Sequence, residues 1–141
     1  MNSRGGSAYS EASLDDSIGT TDHDFGEGYE KTGEMITRWN NSTYGSQNAR
    51  DVWGLIQDEY ADGWFVPSKG EWSAFAGELG EDTLSPALSS TNFSSTYGLT
   101  DYYWSSSQFN AGYAYITFFC YNYMYGVFPH IEHPVRLCAT F

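Results

Sequence analysis

The sequence predicts an α+β domain, two helices packed on a small, twisted, mainly antiparallel sheet. Two amphipathic segments with helix-capping signals occupy the middle of the chain, and short alternating segments rich in Tyr and Phe follow them. Turn residues (Gly, Pro, Asn and Ser) punctuate the intervals. With 141 residues the chain can build one domain with a real core, but not two. Residues 1–24 read as a flexible or acidic N-terminal arm and residues 25–141 as the folded domain.

The chain opens on a Gly- and Ser-rich stretch with little to bury. Asp15, Asp16, Asp22 and Asp24, with His23, are residues of the kind that coordinate calcium, but they lack the EF-hand spacing. A solvated acidic loop is the competing reading. Residues 26–39 mix Gly with Tyr29, Met35, Ile36 and Trp39, which suits a short strand over residues 34–39 feeding a turn at Asn40 and Asn41.

A first helix is expected over residues 48–61. Asn48 can cap it with Asp51 at the third position, Val52, Leu55, Ile56 and Tyr60 form the buried stripe, and Gly63 stops it. A second helix is expected over residues 68–79. Ser68 and Glu71 make an S-x-x-E capping box, Pro67 precedes the cap, and Trp72, Phe75, Ala76 and Leu79 make one apolar stripe. Residues 84–99, rich in Ser and Thr, read as a loop.

Residues 102–133 hold seven of the twelve tyrosines, four phenylalanines and one tryptophan, and their only charged residue is Glu132. A small core rarely absorbs so many large rings, so part of this set is expected to face outward. Tyr supplies contact area at low entropic cost while Ser, Gly and Asn supply adaptable hydrogen bonds, which is the composition of a binding surface. In a strand over residues 113–119, period 2 puts Ala114, Ile116 and Phe118 on the core face. Tyr113, Tyr115, Thr117 and Phe119 then face outward, continued by Tyr121, Tyr123 and Tyr125. A strand buried on both sides is the alternative. Strands over residues 103–106 and 135–140 complete the expected sheet, and Trp64, Trp72, Trp104, Ile116, Phe118, Val135 and Leu137 the expected core.

The formal charge is −12, with sixteen of eighteen acidic residues at or before Asp82. Such a field repels a phosphate backbone, so no nucleic-acid partner is expected. It can steer a basic partner, while contact specificity falls to the neutral aromatic segment. No apolar run approaches membrane-spanning length and nothing near Met1 resembles a secretory signal, so direct membrane insertion is not expected.

No enzymatic constellation stands out. His130, Glu132 and His133 are zinc-ligand types, but a further well-spaced ligand is missing and they read as loop residues. Ser105, Ser106 and Ser107 have no local base or oxyanion motif. Catalytic residues, a metal site and a cofactor are therefore not expected. Cys120 and Cys138 allow one disulfide, although Cys120 shares strand parity with Ile116 and Phe118 and suits a buried thiol.

Four short motifs carry a resemblance. They are Asp62-Gly63-Trp64-Phe65-Val66-Pro67-Ser68 followed by Glu71-Trp72, then Tyr103-Trp104-Ser105-Ser106-Ser107, then Tyr113-Ala114-Tyr115-Ile116-Thr117-Phe118, and finally Pro134-Val135-Arg136-Leu137-Cys138. In this order they resemble the GWRLPT, YWSS, Ala-Trp-x-x-x-Phe and VR blocks of bacterial C-type-lectin-like domains, over residues 49–141. Phe65 departs from the family's usual Arg and Tyr115 from its usual Trp. The resemblance implies the C-type-lectin-like version of the α+β fold. Such folds sometimes carry a structural calcium ion, but the lectin EPN or QPD sugar-binding tripeptide is absent here.

More narrowly, the chain resembles the variable protein of a diversity-generating retroelement, in which template adenines are changed and Asn codons become Tyr, Phe, Ser, Ile, His, Asp or Cys. That would account for the residues at Tyr102, Phe109, Asn110, Tyr113, Tyr115, Ile116, Phe118, Cys120, Tyr121, Asn122, Tyr123, Tyr125, Phe128, His130, Ile131 and His133. The resemblance implies a hypervariable recognition surface for a protein or cell-surface target, formed by that set without Ile116, Phe118 and Cys120. It also implies a place on a cell surface or phage particle, through a leader or anchoring region outside this chain. An undiversified bacterial or phage adhesion domain, an enzyme related to the formylglycine-generating fold, and a structural module of a larger surface protein are the alternatives.

Overall fold

The computed structural model describes residues 2–4, 25–41, 51–78, 98–99, 102–110, 113–119, 123–128 and 131–139. In chain order the elements are β1 (Asn2–Arg4), α1 (Gly28–Asn41), α2 (Val52–Leu55), α3 (Gln57–Ala61), β2 (Trp64–Phe65) and α4 (Lys69–Glu78). They continue with β3 (Tyr102–Asn110), β4 (Tyr113–Phe118), β5 (Tyr123–Val127), β6 (Glu132–Pro134) and β7 (Cys138–Ala139). Every strand pairing is antiparallel. The strands β3, β4 and β5 form a meander, while β1 pairs with β6 and β2 with β7. Of the acidic loop at residues 11–24 and the caps expected at Asn48, nothing lies within the described residues.

Helix α1 replaces the strand expected over residues 34–39. Over a longer window Gly28, Lys31, Thr32, Met35 and Ile36 recur at helical spacing and are the residues it buries. Glu30 in its first turn and Arg38 in its last complement the helix dipole. The buried Lys31 ammonium stays within 4.0 Å of Glu27 and 3.6 Å of Glu34. Thr32 binds the helix to the loop after β2: its hydroxyl donates to the Gly28 carbonyl at 2.7 Å and accepts the Val66 N–H at 3.1 Å.

The helix expected over residues 48–61 is two shorter ones, interrupted at Ile56, where φ is −110° and ψ 15°. Val52, Trp53 and Ile56, which share one helical face, reach the interior, and Leu55 lies outside that face and is exposed, against expectation. Asp51 occupies the cap position of α2 with no side-chain capping bond. Gly63, at φ +90°, ends α3 as its position suggested. In the two-residue β2, alternation sends Phe65 inward and leaves Trp64 exposed, which corrects the expectation of a buried Trp64.

Helix α4 carries its capping box. Ser68 Oγ accepts the N–H groups of Gly70 and Glu71 at 3.1 and 3.3 Å, and Glu71 Oε2 accepts the Ser68 N–H at 2.6 Å. Trp72 and Ala76 are buried, whereas Phe75 is exposed and touches Trp72 and Phe119 edge-on.

Cross-strand partners share a face, so the register assigns the two sides of the meander. Tyr102, Trp104, Ala114, Ile116, Phe118, Tyr125 and Val127 lie on one side. There Trp104, Ala114 and Ile116 pack with Met35, Ile36, Val52, Trp53, Ile56, Val66 and Val135 in the main core. On the other side Tyr103 and Phe119 pack under Trp72 and Ala76 of α4, together with Leu99. Thr117 and Phe119, expected to face solvent, are fully buried because α4 covers that end of the sheet. Trp104, Ile116, Phe118, Trp72 and Val135 are core as expected, and Leu137 is half-buried. Only residues 138–139 of the expected strand over 135–140 pair.

Candidate aromatic recognition surface

The triple-serine motif sets the geometry of the site. Between the pairs Trp104/Ile116 and Gln108/Ala114, β3 runs four residue steps against two on β4, so Ser105, Ser106 and Ser107 form a bulge. The bulge is fully buried. The Ser106 N–H donates to the Pro67 carbonyl at 2.9 Å, and the Lys69 N–H donates to Ser107 Oγ at 3.0 Å. The Trp72 indole N–H donates to the Trp104 carbonyl at 3.2 Å, so the first turn of α4 is bonded to β3 at two points and Pro67, just before it, at a third.

Beyond the bulge, α4 no longer covers the sheet and the aromatic side chains become accessible. Phe109 meets Tyr115 at 5.1 Å and Tyr113 at 6.3 Å between ring centroids, both edge-on. Phe128 lies 4.4 Å from Tyr113. Phe109 is 47% exposed and Phe128 46%, with Tyr113 and Tyr115 half-buried, so four rings form a continuous apolar platform. Gly126 sits opposite Tyr115, and a Cβ there would stand 2.5 Å from the Phe109 ring. Glycine at this strand position allows the ring to lie against the backbone. The Lys69 ammonium stands 4.8 Å from the Tyr115 ring centroid and puts a positive charge at the platform's edge.

The residues expected to converge on one face divide between two. Tyr102 and Tyr125 lie on the main-core side, where Tyr102 stacks on Phe118 at 3.8 Å and meets His133 at 5.3 Å. Tyr123 stands opposite Phe118 and so has its register position on that same side. His133 also touches Trp104 at 5.3 Å. Ile131 is exposed at 40%. Asn110 pairs with Tyr113 in the backbone register, while Tyr121, Asn122 and His130 lie outside the described residues, as does Cys120. Cys138 is a free thiol. Among the described residues no group of three or more His, Cys, Asp or Glu side chains can hold a metal ion.

Lys69 and Gly126 were not singled out from sequence. A glycine between Tyr125 and Val127 in an otherwise regular strand is a signal of close approach and could have marked Gly126. Nothing local marks Lys69, whose place follows from the bulge.

Fold and site together define a small α+β domain with helices packed against a modest antiparallel sheet and an exposed aromatic platform at one end. No protein-family model matches the chain, and no curated protein and no solved structure is significantly similar to it.

Proposed function

We propose that the domain is a recognition module of C-type-lectin-like type whose ligand-binding surface is the platform of Phe109, Tyr113, Tyr115 and Phe128, and that this surface is diversified by a retroelement. The exposed, mutually packed rings carry the reading. A monomeric fold gains nothing by leaving Phe109 and Phe128 exposed beside the half-buried Tyr113 and Tyr115, whereas a binding surface uses such rings as rigid anchors. The target is a protein or cell-surface structure, engaged by apolar burial at the centre and by Lys69 at the rim. The tethering of β3 to α4 through buried serines supports diversification, since it leaves the platform residues outside the bonds that hold the fold.

Two measurements test this. Sequencing the DNA that flanks the gene should reveal a near-copy of the segment encoding residues 102–133, differing mainly at adenines; its absence removes the diversification claim and leaves a static adhesion domain. Screening the folded domain against a surface-protein array should give a ligand whose binding Phe109→Ala weakens, with the melting temperature unchanged. Ligand binding that survives Phe109→Ala and Tyr113→Ala together would remove the platform from the reading.

A further inference from the structure

Alongside α4, and lined by none of the platform residues, a cleft of about 440 Å³ opens between the helix, Leu99 and the chain leading into β7. That volume falls in the range of small-molecule sites, which run from about 300 to 1,000 Å³. Trp72 and Phe75 contribute two aromatic walls, and Leu99 and Leu137 contribute aliphatic ones.

Three polar groups reach the cleft, and two are committed or uncharged. Glu71 Oε1 accepts the N–H groups of Gly26 and Gly28, and Oε2 accepts that of Ser68. Cys138 presents a thiol held in its neutral form by burial and by the Glu71 carboxylate. The third is Arg136. Its guanidinium carbon lies over the Tyr103 ring, 5.5 Å from the centroid, and no acidic side chain lies within salt-bridge distance of it among the described residues. A planar cation propped on an aromatic face beside an apolar cleft has its bidentate edge available to a carboxylate or sulfonate.

We infer that this cleft is a second binding site, separate from the platform, for a small organic anion with a flat apolar body, such as an aromatic carboxylate. The ring packs against the wall made by the edge-to-face pair of Trp72 and Phe75, and the carboxylate meets Arg136. Arg136 is the one cationic side chain in the lining, and the Glu71 carboxylate that shares the cleft is taken up by three backbone N–H groups.

The probe is 2-naphthoate, with neutral 2-naphthamide as its isostere, titrated into ¹⁵N-labelled full-length protein. The expected result is saturable movement of the Trp72 indole and Leu99 amide signals by naphthoate. Binding should be weaker by about tenfold or more for the amide, and by a similar factor for naphthoate with Arg136→Met, as loss of one charge-assisted pair implies. Arg136 is exposed, so that variant keeps its fold. Phe75→Ala should also weaken binding, and Phe109→Ala on the platform should not. Equal affinity for acid and amide, no saturable shift at millimolar probe, or shifts centred on Tyr115 and Phe109 would each overturn the assignment.

Discussion

Glu71 Oε1 accepts the Gly28 N–H at 3.2 Å, joining the capping box of α4 to the first turn of α1. The same oxygen takes the Gly26 N–H at 2.7 Å, so one carboxylate serves the N-termini of two helices that lie on opposite sides of the sheet. Gly28 is required by this closeness. A Cβ there would stand 2.5 Å from Glu71 Oε2 and 2.8 Å from the Phe65 ring.

Gly28→Ala should therefore cost about 1–3 kcal/mol, the usual range for overpacking. Glu71→Ala leaves three backbone donors without their acceptor and should cost about 2–3 kcal/mol. The double variant should lose less than the sum, because Glu71→Ala removes part of what Gly28→Ala collides with. Urea unfolding of the four proteins reads all three outcomes, and strict additivity would show that the contact does not couple the helices.

Tryptophans separate the two halves of the α4 argument. Trp104, 1% exposed, and Trp72, 3% exposed, should each cost about 3–5 kcal/mol on replacement by Ala. Trp64, 43% exposed, should stay within about 0.5 kcal/mol of the parent. Thermal melts distinguish these values easily, and a Trp64→Ala variant as unstable as Trp104→Ala would contradict the alternation in β2.

Local signals predicted local features well. The capping box at Ser68 and Glu71, the Gly63 stop and the period-2 core face of β4 each depend on a few neighbouring residues and appear where the sequence puts them. Failures arose where distant elements decide. A strand is expected where α1 lies because the six-residue window over 34–39 is too short to show the helical period of a 14-residue segment. Thr117 and Phe119 were read as outward because nothing local says that α4 covers one end of the sheet only. The aromatic set was expected on one face, but strand register, which no residue of a single strand encodes, sends Tyr102 and Tyr125 to the core side and Tyr113 and Tyr115 to the other.

Cys138 gives a prediction in pH. Burial, reinforced by the Glu71 carboxylate, pushes its thiol up from 9.0 to about 12. At pH 8 the thiolate is then rarer by about a thousandfold than for an ordinary cysteine, and alkylation by iodoacetamide should slow in proportion. For stability, the folded state keeps the proton that the unfolded state has lost, so the contribution is intact below about pH 9 and is lost as pH rises towards 12. Tyr60, raised to about 12 by burial and by its hydrogen bond with Tyr29, acts in the same direction at the upper end of that window. Cys138→Ser should lose less stability than the parent as pH rises from about 9 towards 12. Parallel losses in the two proteins would remove the thiol as a cause.

The platform makes the sharpest prediction, because Gly126 and Phe109 tie its shape to one position. A Cβ at residue 126 falls 2.5 Å from the Phe109 ring, and a half-exposed ring has solvent to move into. Gly126→Ala should then tilt Phe109 off Tyr115 at a modest cost in stability, about 1 kcal/mol, while weakening ligand binding as much as Phe109→Ala does, about 2 kcal/mol or more. Tyr102→Ala supplies the contrast. Its ring stacks on Phe118 on the main-core side, so its loss should lower the melting temperature and leave affinity nearly unchanged. Measured together by thermal melt and by titration against the ligand found in the array, the variants divide along the two faces of the sheet. If Tyr102→Ala abolishes binding without unfolding the domain, and Gly126→Ala binds as the parent does, recognition belongs to the other face and the platform reading fails.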